Sequence, residues 1–62
     1  MNQYDVLTND NRHIVVFAES HDLEDGTLTL NKTHQGMYTD TFPEGYWSRY
    51  MVNGVEQESN DD

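Results

Sequence analysis

The stretch that most constrains the fold is residues 13–30, which hold the longest apolar run (residues 14–18) and a turn signal at Asp25-Gly26. Asp-Gly between two runs of β-forming residues is typical of a two-residue hairpin turn. Apolar side chains occupy both parities of residues 14–18, which is typical of a strand covered on two faces. The stretch therefore predicts a central β-hairpin on which the other strands pack.

The two-residue turn also predicts the register of this hairpin. It places Leu23 opposite Leu28, and it places Glu19 opposite Lys32 as a cross-strand ion pair. Five apolar side chains then share one face: Val15, Phe17, Leu23, Leu28 and Leu30. A one-residue bulge near residues 20–22 would invert part of this arrangement, because side chains alternate between faces along a strand.

Further short strands are predicted wherever apolar and polar residues alternate between turn signals. The segments are residues 3–8, 27–31, 37–42, 46–52 and 55–57, with turns at residues 9–11, 32–36, 43–45 and 53–54. The first is expected to be a short strand at a sheet edge. Pro43 ends the 37–42 strand because proline has no N–H to donate. Asn53-Gly54 predicts a type I′ turn.

These segments predict an all-β fold, a single small antiparallel meander of five to six short strands. The sheet is expected to be curled or closed into an SH3-like barrel, and closure is favoured because it removes unpaired edges. The β domain is expected to span residues 1–57, and the acidic residues 58–62 are expected to form a disordered tail. A chain of 62 residues without cysteine builds one small core with no disulfide.

The charge balance is extreme, with twelve acidic residues against three lysines and arginines and a formal charge of −9. Such a chain is not expected to bind nucleic acid or a membrane directly, because both attract cations. Three explanations of the acidity remain open: solubility, adaptation to high salt, and attraction of a basic partner. The sequence begins with no signal-peptide pattern and has no long apolar run, so a cytoplasmic location is expected, in the host cell if the protein is viral.

The patterns that catalysis or metal binding would need do not occur in the sequence. The three histidines lack metal-ligand spacing, and no cysteine completes a tetrahedral site. Ser20 and His21 are neighbours in a predicted strand, so their side chains point to opposite faces and make no dyad. The carboxylates before Gly26 lack the spacing of a calcium loop. We therefore expect a protein that is not an enzyme and that uses no metal or cofactor.

A partner-binding surface is the remaining candidate, because tyrosines anchor interfaces and carboxylates meet arginine and lysine across them. The candidate residues are Asp22, Glu24, Asp25, Tyr38, Asp40, Glu44, Tyr46 and Tyr50. Trp47 is expected in the core, since a chain this short needs its largest apolar side chain there. Strict alternation then leaves Tyr46 and Tyr50 on the exposed face.

One longer pattern starts at Ala18, continues as Glu24-Asp25-Gly26-x-Leu28-x-Leu30, and ends in Phe42-Pro43-x-Gly45-x-Trp47. It resembles a pattern of short uncharacterised β-proteins found in viruses, actinobacteria and archaea, and it covers about half of the chain. The resemblance implies a small β fold and brings no known chemistry.

Two functions are therefore expected. The first is a non-enzymatic acidic protein-interaction module, in its narrowest form a virus-encoded inhibitor whose carboxylates mimic nucleic-acid charge and dock on a basic protein. The alternative is a salt-adapted, halophilic structural or virion protein that self-associates as a homo-oligomer through Tyr46, Tyr50 and an open strand edge.

Overall fold

A computed structural model describes residues 1–33 and 38–57. They form seven strands: β1 (Asn2–Thr8), β2 (His13–Ala18), β3 (Ser20–Glu24), β4 (Thr27–Asn31), β5 (Thr39–Phe42), β6 (Trp47–Val52) and β7 (Val55–Gln57). All the described strand pairs are antiparallel, and the described residues contain no helix. The all-β antiparallel prediction is confirmed, with seven strands where five to six were expected.

The strands form two sheets, one of four strands in the order β2-β1-β6-β7 and one of three in the order β3-β4-β5. The expectation of a closed barrel is wrong. Closure requires every strand to have two neighbours, whereas β2 pairs only with β1 and β5 only with β4 among the described residues. The two sheets therefore keep open edges.

The first strand is central, not at an edge as expected. β1 lies between β2 and β6, and its alternate residues Tyr4, Val6 and Thr8 are buried. The pairing of β1 with β6 joins residues 39 to 48 positions apart, from Thr8 with Trp47 to Tyr4 with Val52. Local alternation predicted the strand, but it contains no information about such a distant partner.

The Asp25-Gly26 hairpin is confirmed. β3 and β4 pair with Leu23 opposite Leu28, and Asp25 and Gly26 have φ values of 52° and 83°. Positive φ at both central residues is the geometry of a type I′ turn. The expected contact of Lys32 with Glu19 is replaced by an ion pair with Asp40 on the neighbouring strand β5, with Nζ and Oδ2 3.1 Å apart.

The chain bends at Glu19, so residues 13–24 are two strands in different sheets instead of one arm of a hairpin. Val16 and Ala18 are buried in β2, whereas Val15 and Phe17 are 49% and 56% exposed. The expectation that Val15 and Phe17 share the core face is therefore wrong, as is the expectation of a strand covered on two faces. The bend acts like the extra residue of a bulge and changes the inward parity between β2 and β3.

The core draws on both sheets. Its buried members are Tyr4, Val6, Val16, Ala18, Leu28, Leu30, Phe42, Trp47 and Tyr50. Two polar contacts join the sheets across it: Tyr4 Oη lies 3.0 Å from His21 Nδ1, and Trp47 Nε1 donates to the Gly26 carbonyl at 3.0 Å. The polar groups of Tyr4 and Trp47 are thus hydrogen-bonded, as their burial requires.

A bulge in β6 explains how two aromatic residues of opposite parity both face inward. Trp47 lies opposite Thr8 and Arg49 opposite Leu7, so Ser48 has no cross-strand partner in the described register. Trp47 is 8% exposed, which confirms its predicted place in the core. Tyr50 is only 3% exposed, so the expectation of an exposed Tyr50 is wrong. Burial raises the pKa of the Tyr50 phenol, with a smaller contribution from Tyr4.

The remaining turns follow the sequence. β5 ends before Pro43, whose carbonyl accepts a hydrogen bond from Tyr46 N–H at 3.1 Å. Asn53 and Gly54 have φ values of 52° and 84°, which confirms the type I′ turn into β7. Three predictions fall outside the described residues: the second half of the 32–36 turn, the strand start at Met37 and the tail at residues 58–62.

Candidate interaction surface

Three loops meet at one end of the fold, namely residues 9–12, 25–26 and 43–46. Asn9 holds the first loop to the third, because its N–H donates to the Tyr46 carbonyl at 2.9 Å and its Nδ2 to the Gly45 carbonyl at 2.6 Å. Glu44 lies against the second loop: a Cβ built on Gly26 would be 2.8 Å from Glu44 Cγ. The turns that carry Asp25 and Glu44 are therefore neighbours. The first joins β3 to β4 within one sheet, and the second joins β5 to β6 in different sheets.

Three exposed carboxylates stand at this pair of turns: Asp25 and Glu44 within them, and Glu24 at the end of β3, directly before Asp25. We call these three residues the acidic end. The lysine and two arginines of the chain pair with other carboxylates: Arg12 with Asp10, Lys32 with Asp40 and Arg49 with Glu56. Within residues 1–33 and 38–57, no ion pair involves a carboxylate of the acidic end. Its negative charge is therefore available to a partner.

Tyr46 lies beside the acidic end and is held from both sides. Its ring stacks on Phe42 with centroids 6.1 Å apart, and its hydroxyl accepts a hydrogen bond from Arg12 Nη2 at 2.8 Å. These two contacts fix the position of the partly exposed ring.

The Arg12 side chain that holds Tyr46 is itself bonded to Asp10. The hydrogen bond from Thr8, and to a smaller extent the one from Arg12, lowers the pKa of the Asp10 carboxyl. The hydrogen bond to Asp10 in turn raises the pKa of Arg12.

A groove of about 460 Å³ runs between β2 and β5, where the two sheets fail to close. Its lining residues are Ile14, Val16, Asp40, Thr41, Phe42, Pro43 and Tyr46. Val16 and Phe42 belong to the core, so the groove opens onto the core between two strand edges. Asp40, paired with Lys32, is the carboxylate of this lining.

The structure divides the eight predicted partner-binding residues into groups. Glu24, Asp25 and Glu44 come together at the acidic end, while Asp40 and Tyr46 line the groove. Asp22 accepts a hydrogen bond from Asn31 Nδ2 at 3.1 Å on the outer face of the smaller sheet. Tyr38 is 63% exposed just before β5. Tyr50 is buried and takes no part in a surface.

Sequence reasoning missed two exposed residues, Val15 and Phe17, on the outer face of β2. Their only signal is that apolar residues occupy both parities of residues 14–18. That pattern fits a doubly covered strand and an exposed apolar edge strand equally well, and the pairing of β2 decides between them.

In the part of the chain that the structure describes, no three side chains of the metal-ligating types converge. No helix there is long and apolar enough to cross a membrane.

Comparison with protein-family models, with curated proteins and with solved structures found no match for this chain. The resemblance to short viral, actinobacterial and archaeal β-proteins therefore stays a prediction.

Proposed function

We propose that this protein is a non-enzymatic interaction module whose acidic end binds a basic surface of another protein. The observation that carries the proposal is the convergence of Glu24, Asp25 and Glu44 on two adjacent turns, outside every ion pair of the described residues. In a chain of charge −9, these carboxylates present an uncompensated negative surface.

Electrostatics of this kind determines which partners approach and how quickly. Each exposed ion pair contributes only about 0–1 kcal/mol, so the carboxylates select a basic partner without binding it tightly by themselves. Apolar surface beside the carboxylates supplies the remaining binding free energy. Tyr46 and Pro43, which line the groove between β2 and β5, lie within two residues of Glu44 in the sequence.

The narrower form of the proposal is an inhibitor, of the kind that viruses encode, whose partner uses the same basic surface for nucleic acid. Carboxylates fixed at adjacent turns resemble backbone phosphates in charge, and a basic nucleic-acid-binding face would accept either. This form predicts competition between the protein and nucleic acid for one partner.

The direct test is neutralisation of the acidic end with Glu24→Gln, Asp25→Asn and Glu44→Gln. Asparagine is chosen at residue 25 because it tolerates the positive φ of this turn. The probe is a fluorescent lysine-glycine peptide, whose affinity is followed by anisotropy over a range of KCl concentrations. We expect about a fivefold loss of affinity at low salt, since up to three weak ion pairs disappear.

The matched control neutralises three carboxylates outside the acidic end, with Glu19→Gln, Glu56→Gln and Glu58→Gln. Both variants carry the same net charge, so only the position of the lost carboxylates differs. We expect the control to lose less than about twofold. Equal losses in the two variants would show that net charge, and not the acidic end, attracts the peptide.

A second candidate, a salt-adapted protein that self-associates, is favoured by the exposed apolar edge strand β2 with Val15 and Phe17. It predicts that the chain unfolds at lower temperature in about 0.1 M KCl than in about 2 M, because salt screens the repulsion within a chain of charge −9. It also predicts dimers in sedimentation velocity at high salt. A stable monomer at both salt concentrations contradicts this candidate and leaves the interaction module.

A further inference from the structure

We propose that the gap between β2 and β5 is a slot for one extended segment of the partner, which joins the two sheets as an added strand. Its lining is that of the groove described above. The inference rests on the proposed function, because that function supplies the basic character of the partner.

One side of the slot is the free edge of β2. Thr8 N–H donates to the Arg12 carbonyl at 2.9 Å, so these residues form a hydrogen-bonded pair of the β1–β2 ladder. Hydrogen-bonded and non-hydrogen-bonded pairs alternate in an antiparallel ladder, so Ile14 and Val16 are bonded to β1. The backbone groups of His13, Val15 and Phe17 therefore point away from β1, toward the open edge.

The other side is the free edge of β5. Lys32 N–H donates to the Tyr38 carbonyl at 2.8 Å, which identifies the hydrogen-bonded pair at the start of the β4–β5 ladder. By the same alternation, Asp40 and Phe42 are bonded to β4, and the backbone groups of Thr39 and Thr41 point to the open edge.

The floor between these edges is apolar, with Ile14, Val16 and Phe42 contributed from the two sheets. A strand laid over it would direct alternate side chains onto the floor and the others to solvent, because side chains alternate between the faces of a strand. Its N–H and C=O groups would bond to β2 on one side and β5 on the other. This is strand addition at two edges at once.

Charge identifies the occupant as a segment that alternates apolar residues with lysine or arginine. Asp40 in the lining is already paired with Lys32, so the free negative charge beside the slot is that of Glu44, one residue after Pro43 of the lining. Arg12 approaches the same end but is already bonded to Asp10 and to Tyr46. A second copy of this chain would bring a charge of −9 against −9, which disfavours self-docking at low salt.

The test compares two synthetic peptides of equal charge, Lys-Val-Lys-Val-Lys-Val-Lys and Lys-Gly-Lys-Gly-Lys-Gly-Lys, binding to the full chain at low salt. We expect the valine peptide to bind about tenfold more tightly, because only it covers the floor. Amide hydrogen exchange followed by NMR provides the structural readout. We expect the valine peptide to slow exchange about tenfold at the Val15 and Thr41 amides, which the free protein leaves unbonded at the edges.

Val15→Pro is the matched variant, because it removes only an N–H that points out of the sheet. We expect it to bind the valine peptide about tenfold more weakly and the glycine peptide unchanged. A valine peptide N-methylated at two alternate residues blocks one hydrogen-bonding edge of the ligand instead, and it gives the same information if the proline variant does not fold.

The outcomes separate this inference from the proposed function. Equal, salt-sensitive binding of both peptides overturns the slot and leaves the interaction module intact. Tight binding of the valine peptide that survives neutralisation of the acidic end supports the slot and contradicts the proposed function. Failure of both peptides to bind overturns both. If the protein forms a dimer without peptide and exchange of the Val15 amide is slowed in that dimer, the slot binds a second copy of this chain, and the proposal of a basic partner segment is overturned.

Discussion

Trp47→Ala is expected to abolish cooperative folding at room temperature. The indole is 8% exposed, packs edge-to-face on Tyr50 with centroids 5.6 Å apart, and donates to the Gly26 carbonyl. Truncating a buried tryptophan to alanine costs about 3–5 kcal/mol. A single core in a chain of this length supplies about the same free energy of unfolding. Thermal melts followed by far-UV circular dichroism should therefore show no transition.

Two controls make this result interpretable. Trp47→Phe keeps an aromatic ring but leaves the Gly26 carbonyl without its donor, so we expect a folded protein destabilised by about 1–3 kcal/mol. Tyr46→Ala removes the neighbouring, partly exposed ring, and we expect a smaller loss than for Trp47→Ala. A cooperative transition of Trp47→Ala close to that of the unmodified protein would contradict the place of Trp47 in the core.

Deletion of Ser48 is expected to leave the protein folded, because it removes the bulge without turning either ring outward. Ser48 is the extra residue that lets Trp47 and Tyr50, three positions apart, face the same side of β6. Without it the two rings are two positions apart, and residues two apart in a regular strand share a face. The variant therefore loses the hydrogen bond from Ser48 Oγ to the Leu7 carbonyl, which contributes about 0.5–1.5 kcal/mol, and the twist that the bulge adds. Urea titration should show a modest drop in the unfolding midpoint, smaller than the loss expected for Trp47→Ala.

Ser48→Ala is the matched control, because it keeps the length of β6 and removes only the hydroxyl that donates to the Leu7 carbonyl at 3.1 Å. We expect it to lose about 0.5–1.5 kcal/mol and to remain folded. Loss of the cooperative transition in the deletion variant alone would contradict this account, because it would show that the bulge itself is needed to hold both rings inward.

The two proposals concern adjacent parts of one surface. Glu44 belongs to the acidic end, and Pro43, one residue earlier, lines the groove. A partner that places a basic strand between β2 and β5 would therefore bring its flanking residues close to the acidic end. Charge then governs the encounter, and backbone pairing with apolar contact governs how long the complex lasts.

The exposure of the acidic-end carboxylates could be predicted from sequence, whereas their convergence and the groove could not. Glu24, Asp25 and Glu44 stand at turn signals, and carboxylates at turns are exposed wherever the strands pack. The groove depends on the approach of β2 to β5, which no local pattern encodes. The exposure of Tyr50 was predicted wrongly for a related reason, since the Ser48 bulge is set by the register against β1.

The sequence by itself determined the all-β class, the turns at Asp25-Gly26 and Asn53-Gly54, the hairpin register around the first of these turns, and the excess of negative charge. These depend on residue identity and on neighbours a few positions apart. Only the tertiary structure decided that β1 is central, that the chain bends at Glu19 and that the sheets stay open. Those features depend on pairings between distant segments, whose free energies come from packing across the whole core.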